Sequence, residues 1–328
     1  MSAASSAPAE GRSGAWLEHV PAPLFAVVMG VCGLGLAWRK AHAVLHVPAH
    51  VSNAALIAAA AVFLALTALY AAKAARYPQA VAAEFQNPIR ANFFPAFSIS
   101  ILLLSRAALS IGPQTAFALW SVGAAIHLAF TLHLLKRWIV RNHDIHHSNP
   151  AWFIPVVGNL LVPLTGAPLG HVEVSWFFFS IGIVFWVILF TIVFYRIVFH
   201  DQLPAKFVPT LFILVAPPAI GFISYEALTG GIDPFARILF YFALFLGLLV
   251  LTMAKQFLAV PFAVSWWAYT FPLDALTIAA LEYHERTGAE AMAPICWLAL
   301  ALTTAIVVGV LIRTLAALFA GSLFVPEK

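Results

Sequence analysis

The sequence predicts an all-α integral membrane protein of ten transmembrane helices, paired as five hairpins around a central pore. Three observations predict it. The 328 residues are 63% hydrophobic and only 9% charged, with a mean hydropathy of +0.95. A soluble domain carries about 25% charged residues and could not hide so much apolar surface. Ten apolar runs approach or exceed the roughly 20 residues that cross a bilayer, and prolines interrupt alternate runs only.

Taken in order, residues 1–19 are small and polar, with Arg12 the only base after Met1. They lack the layout and cleavage site of a signal peptide and are expected to form a disordered cytosolic tail. The membrane domain covers 20–320. Its apolar runs lie at about 20–38, 50–75, 91–111, 114–135, 151–169, 172–199, 205–229, 234–254, 261–284 and 291–320. The fifth is the weakest, broken by Pro155, Gly158, Pro163 and Gly166. Residues 321–328 form a short cytosolic tail. Cys32 and Cys296 sit inside apolar runs as small core residues. Neither a disulfide framework nor a zinc ribbon is available.

Charge supports ten spans. With the N-terminus inside, twelve of the seventeen Lys and Arg residues fall in inside segments. Only Arg39, Lys40, Arg106, Arg237 and Arg286 fall outside, as the positive-inside rule requires. Omitting the fifth span would place Arg196, Lys206 and Lys255 outside. The small net charge of +4 therefore reflects topology and not nucleic-acid binding.

Proline separates the runs into two kinds. The odd runs carry Pro21 and Pro23, Pro95, Pro155 and Pro163, Pro209 with Pro217 and Pro218, then Pro261 and Pro272; the even runs have none in their interiors. Representative prolines recur about every 60 residues, the length of a helical hairpin with its loops. A proline removes a backbone hydrogen bond and kinks a helix. Irregular backbone at membrane depth is tolerated only where protein or a water-filled cavity shields it from lipid. The broken helices should therefore face inward, as a ring around an axial pore, and the smooth ones should face lipid. Against this stands the general frequency of proline in membrane helices.

The ninth run is the most unusual. Phe271 precedes Pro272, so its ring could project into the space that the kink opens and stop ions by dewetting. With 28 phenylalanines in the chain, it could equally be a core aromatic. Asp274 is the single acidic residue near the centre of a span, and intramembrane carboxylates are functional candidates. It follows Phe271 by three residues, on roughly the same helical face. It could be protonated, paired with a base, or bonded to groups released by the kink.

Here the residues resemble a known family. The run Trp266-Trp267-Ala268-Tyr269-Thr270-Phe271-Pro272 resembles the ninth helix of plant slow-type anion channels, whose bacterial relatives are the tellurite-resistance and C4-dicarboxylate transporter proteins. Glu84-Phe85-Gln86-Asn87-Pro88-Ile89-Arg90, Asn149-Pro150-Ala151-Trp152-Phe153-Ile154-Pro155 and Ala216-Pro217-Pro218-Ala219 resemble the third, fifth and seventh helices, in the right order. The resemblance covers about Pro21 to Phe319. It implies five hairpins in quasi-five-fold arrangement, a homotrimer with one pore per subunit, and occlusion of that pore by Phe271. It also implies passage of small anions such as chloride and nitrate, or of dicarboxylates such as malate or succinate in proton-coupled carriers. The sequence departs from the family pattern at Asp274, where relatives carry a small or hydroxyl residue, which keeps a proton-coupling role open. Phe25 and Phe94 could join Phe271 in narrowing the path, although Phe93 competes with Phe94 for the inward position; otherwise both are packing residues. Pro95, Pro155, Pro217 and Pro272 mark the kinks. The expected setting is a bacterial inner membrane with both termini cytoplasmic.

An enzyme reading rests on the histidines. His42, His46 and His50 have helical metal-ligand spacing, and His143, His146 and His147 resemble a box of membrane di-iron enzymes. The topology puts the two clusters on opposite sides of about 30 Å of hydrocarbon, and the other histidines form no third box. They read as polar loop residues, and no metal, cofactor or enzymatic activity is expected. His127 and His133, inside the fourth run, read as hydrogen-bonding partners between helices.

Overall fold

The computed structural model describes residues 15–324. The parts of the expected tails at 1–14 and 325–328 lie outside the described residues. Within the N-terminal tail as expected, Ala15–His19 is instead a 3₁₀ turn, and Trp16 packs on Phe324 with ring centroids 5.6 Å apart.

The described chain is all-helical, with no strand among the described residues. Eight helices are long and apolar enough to cross a membrane: α1 (Ala22–Leu45), α2 (Ala49–Arg76), α3 (Arg90–Ala108), α4 (Pro113–Val140), α6 (Val172–Phe199), α7 (Ala205–Thr229), α8 (Pro234–Thr252) and α10 (Met292–Phe319). Two further helical segments lie among them. Segment α5 (Pro150–Gly166) is apolar but short and broken. Segment α9 (264–287) carries Asp274, Glu282, Glu285 and Arg286, so its composition falls short of an apolar span. Helix α1 runs past the expected residue 38 to Leu45, and α4 past 135 to Val140. Between α2 and α3, an unforeseen short helix, Pro78–Gln86, starts on a proline, which lacks the N–H that a first helical position leaves unused.

The prolines act as junctions. Each odd segment begins as 3₁₀ helix and continues as α helix. The changes occur at Leu24/Phe25 in α1, on either side of Pro95 in α3, at Val215/Ala216 in α7 and at Tyr269/Thr270 in α9. Pro217 and Pro272 lie in the first turn of their α halves, where a missing N–H costs little, so they start helices rather than bend them midway. The tighter i→i+3 bonding of the 3₁₀ half serves the carbonyls on the other side of the junction. Segment α5 alternates twice, through Pro150–Phe153, Ile154–Val157, Gly158–Leu161 and Pro163–Gly166.

Each odd segment packs on the even helix that follows it. The odd segments also touch one another in cyclic order: α1 on α3, α3 on α5, α5 on α7, α7 on α9, and α9 back on α1. The tightest of these approaches, between α1 and α9, needs glycine. A Cβ at Gly33 would stand 2.9 Å from that of Asp274, and one at Gly30 would stand 2.8 Å from that of Thr270.

Candidate functional site

A cavity of about 1490 Å³ opens at the end where the odd segments begin. All five contribute to its wall, and the last residues they give are Met29, Ile99, Leu161, Ile220 and Pro272, with Phe271 beside it. None of the α-helical far halves beyond these residues lines it. The wall changes chemistry with depth. The mouth carries Lys73, Arg90 and Lys206 together with Glu18, Glu84 and His19. The deep part, from Ala26, Ala96, Val157 and Ala216 inward, presents apolar side chains and glycine. An ion entering it meets no charged side chain before Phe271.

Among the residues expected at a pore, Phe271, Pro217 and Pro272 line this cavity. Phe25, Phe94, Pro95 and Pro155 stand off it. Phe25 is buried between helices, with its ring 5.2 Å from Phe97 and 6.2 Å from both Phe63 and Tyr70. Phe94 packs on Phe85 at 4.8 Å, and its neighbour Phe93 takes the lining position. Pro95 caps the α half of α3, and its carbonyl accepts the Ser98 hydroxyl at 2.8 Å. The Pro155 carbonyl accepts from Thr131 of α4 at 2.7 Å. Both aromatics close a 3₁₀ turn, where plain α-helical spacing does not hold.

Asp274 is fully buried, away from the cavity wall, against Gly33 of α1. Neither of its carboxyl oxygens has a hydrogen-bond partner. The intramembrane histidines do not meet it. His127 bonds through Nδ1 to Ser98 of α3 at 2.9 Å, and its ring packs against Gly158, a lining residue. The His133 ring packs on Phe85, tilted, with centroids 5.0 Å apart.

A buried polar knot that sequence spacing does not reveal lies at the mouth. Glu84 accepts the Ala22 backbone N–H at 2.7 Å, the Tyr70 hydroxyl at 3.0 Å and the Lys73 ammonium at 2.8 Å. Lys73 also donates to the Val20 carbonyl at 2.7 Å. The knot fixes the start of α1 to the end of α2 and to the short helix that follows. Its only sequence signal was a Glu and a Lys near a span boundary, which is where solvated charges normally lie.

The loop histidines form no metal centre: among the described residues, no group of three or more His, Cys, Asp or Glu side chains could hold an ion. His42 bonds the Val47 carbonyl at 2.6 Å, and His46 closes α1 in the left-handed conformation at φ 58°. Asp144 is held below the usual carboxylate range by the backbone N–H of His146, and next by its ring at 2.6 Å.

The chain matches the family model described as voltage-dependent anion channel over residues 19–315. It is similar to the S-type anion channel SLAH3 of Arabidopsis thaliana, at 27% identity over 92% of this chain and 48% of that protein. It is similar to the guard cell S-type anion channel SLAC1 of the same plant, at 26% identity over 82% of this chain and 50% of that protein. A tellurite resistance protein TehA homolog of Haemophilus influenzae is 25% identical, over 81% of both chains. The chain thus spans about half the length of these plant channels and most of the bacterial protein.

Proposed function

The chain, a multi-pass integral membrane protein, belongs to the voltage-dependent anion channel family, and from that premise we propose that it conducts small inorganic anions such as chloride and nitrate through a pore occluded by Phe271. The observation that carries this reading is the cavity. It draws its wall from all five odd segments and ends, apolar, beside the Phe271 ring. A narrow apolar passage sheds water and blocks ions unless the obstructing side chain moves.

The proposed architecture is ten spans in five hairpins, quasi-five-fold about the cavity axis, with three copies assembling and each keeping its own pore. The cyclic contacts of the odd segments support the ring. The proposed setting is a bacterial plasma membrane with both termini cytoplasmic, so that the cavity faces the cytosol. The family is one of channels and not of enzymes.

Planar-bilayer recording of purified protein tests the gate. In Phe271→Ala, anion-selective current should rise at least about tenfold, equivalent to removing about 1.4 kcal/mol from the barrier. An unchanged current, or one carried by cations, ends the reading.

A second reading rests on Asp274, fully buried without a hydrogen-bond partner and three residues beyond Phe271. In it the chain is a proton-coupled carrier of C4-dicarboxylates, with Asp274 as the proton site. Uptake of malate or succinate into vesicles would then follow an imposed pH gradient and fail in Asp274→Asn. Uptake that ignores the gradient removes it.

A further inference from the structure

Beyond the cavity, the odd segments are tied to one another all the way round. Arg39 on α1 donates to the Ala107 carbonyl of α3 at 2.8 Å, and Arg106 on α3 to the Leu164 carbonyl of α5 at 3.0 Å. The Ser224 hydroxyl of α7 donates to the Leu160 carbonyl of α5. Glu226 of α7 makes an ion contact with Arg286 of α9 at 2.5 Å. Lys40 of α1 pairs with Glu282 and, at 2.5 Å, with Glu285, both on α9. Each neighbouring pair in the cyclic order thus has a tie, and between α7 and α9 and between α9 and α1 the ties are ion pairs.

The ion pairs lie on the side of Phe271 away from the cavity. Lys40 stands eleven residues beyond Met29, Glu226 six beyond Ile220 and Glu282 ten beyond Pro272, the deepest lining residues of their segments. At 1.5 Å per helical residue, that is about 16, 9 and 15 Å past the closed end of the cavity. Glu226 and Glu282 are buried, and Lys40 is half-buried. Their influence crosses the ring. Both carboxylates act on the charge of Arg106, which sits on α3, a neighbour of neither α7 nor α9 in the cyclic order. Carboxylates oppose an anion path unless bases hold them, and Arg286 holds both, bonding Glu282 at 2.9 Å as well as Glu226.

A partly buried ion pair resists separation, because parting it strands two charges. We propose that the pairs made by Lys40, Glu226, Glu282, Glu285 and Arg286 form a second closure of the path, on the far side of Phe271, that draws the ends of α1, α7 and α9 together. The two closures stand in series. The higher barrier sets the current, so the far one limits flow only once Phe271 is out of the way. The inference rests on the channel reading for its effect on current, but not for the closure itself.

The sign of the response tests it. If these charges acted only through their field, removing a base would lower an anion current and removing an acid would raise it. If the pairs close the path, removing either partner raises it. In bilayers on a Phe271→Ala background, Lys40→Met, Arg286→Gln and the double change Glu282→Gln with Glu285→Gln should each raise the anion current at least about threefold, the scale of one partly exposed ion pair. Lys40→Met combined with the two glutamine changes should give no more than the larger of its parts, as partners in one contact do. Arg286 is exposed, so Arg286→Gln stands in for Lys40→Met if that chain does not fold. A current lowered by either basic substitution, or unchanged in all three variants, overturns the proposal. Amide hydrogen exchange of the detergent-purified full-length protein needs no conduction. There Lys40→Met should speed exchange at the far ends of α1 and α9 at least about threefold and leave their cavity ends as they are. Unchanged exchange at the far ends also overturns the proposal. Faster exchange there in a Phe271→Ala chain that passes no anion current keeps the closure and sinks the channel reading.

Discussion

Helices α1 and α2 belong to one hairpin, are both strongly apolar, and have opposite fates. Of the apolar stretch of α1, 78% of residues are buried in the protein; for α2 the figure is 11%. The other long odd helices, α3 and α7, reach 72% and 83%, whereas the other even helices stay between 28% and 39%. The more apolar helix of the pair is the less buried one, the reverse of a soluble protein. Lipid tails are as apolar as leucine, so apolarity alone gives a helix no reason to leave the bilayer. What draws α1, α3, α5, α7 and α9 inward is what lipid cannot accept: 3₁₀ backbone, proline junctions, and polar side chains such as Ser98, Thr210 and Asp274.

Among the buried polar residues of the even helices, one offers the largest test of that divide. Lys73 belongs to the lipid-facing α2, yet it is buried against Glu84. Removing one partner of a buried ion pair strands the other, at a cost of about 3–5 kcal/mol. Glu84→Ala should therefore lower the thermal transition of the detergent-solubilised protein strongly, whereas the double change Lys73→Met with Glu84→Leu should recover most of the loss. A transition that stays put in Glu84→Ala would mean that α2 sits at the mouth without this anchor.

The division into odd and even segments was legible because proline is sparse and its physical effect is local. The alternation at Pro23, Pro95, Pro155, Pro217 and Pro272 marked the inner segments before any contact was seen. What the prolines do there was less legible. Position in the sequence suggested mid-helix kinks, but each junction follows a 3₁₀ half, where plain α-helical spacing does not tell that Phe93 and not Phe94 lines the cavity, or that Phe25 packs on Phe97. Phe271 keeps its place on the wall, next to Pro272. The Lys73–Glu84 knot was hidden for another reason. Its two charges are eleven residues apart, and only the fold of the intervening short helix makes them neighbours.

Glycine provides the finest comparison, because one substitution has opposite expected signs on the two kinds of helix. At Gly33, on α1, an added methyl meets Asp274 on α9. Overpacking of a tight contact costs about 1–3 kcal/mol, so Gly33→Ala should lower the thermal transition measurably. At Gly309, on the even helix α10, an added methyl meets nothing within 4 Å. There the change only removes the backbone freedom of glycine inside a helix, and Gly309→Ala should stabilise by about 0.5–1 kcal/mol. If Gly309→Ala instead destabilises as much as Gly33→Ala, then α10 is covered by packed protein and not by lipid. Because this chain leaves that surface open, the cover would have to come from another copy, and the boundary between inner and outer helices would be drawn by the assembly as well as by the fold.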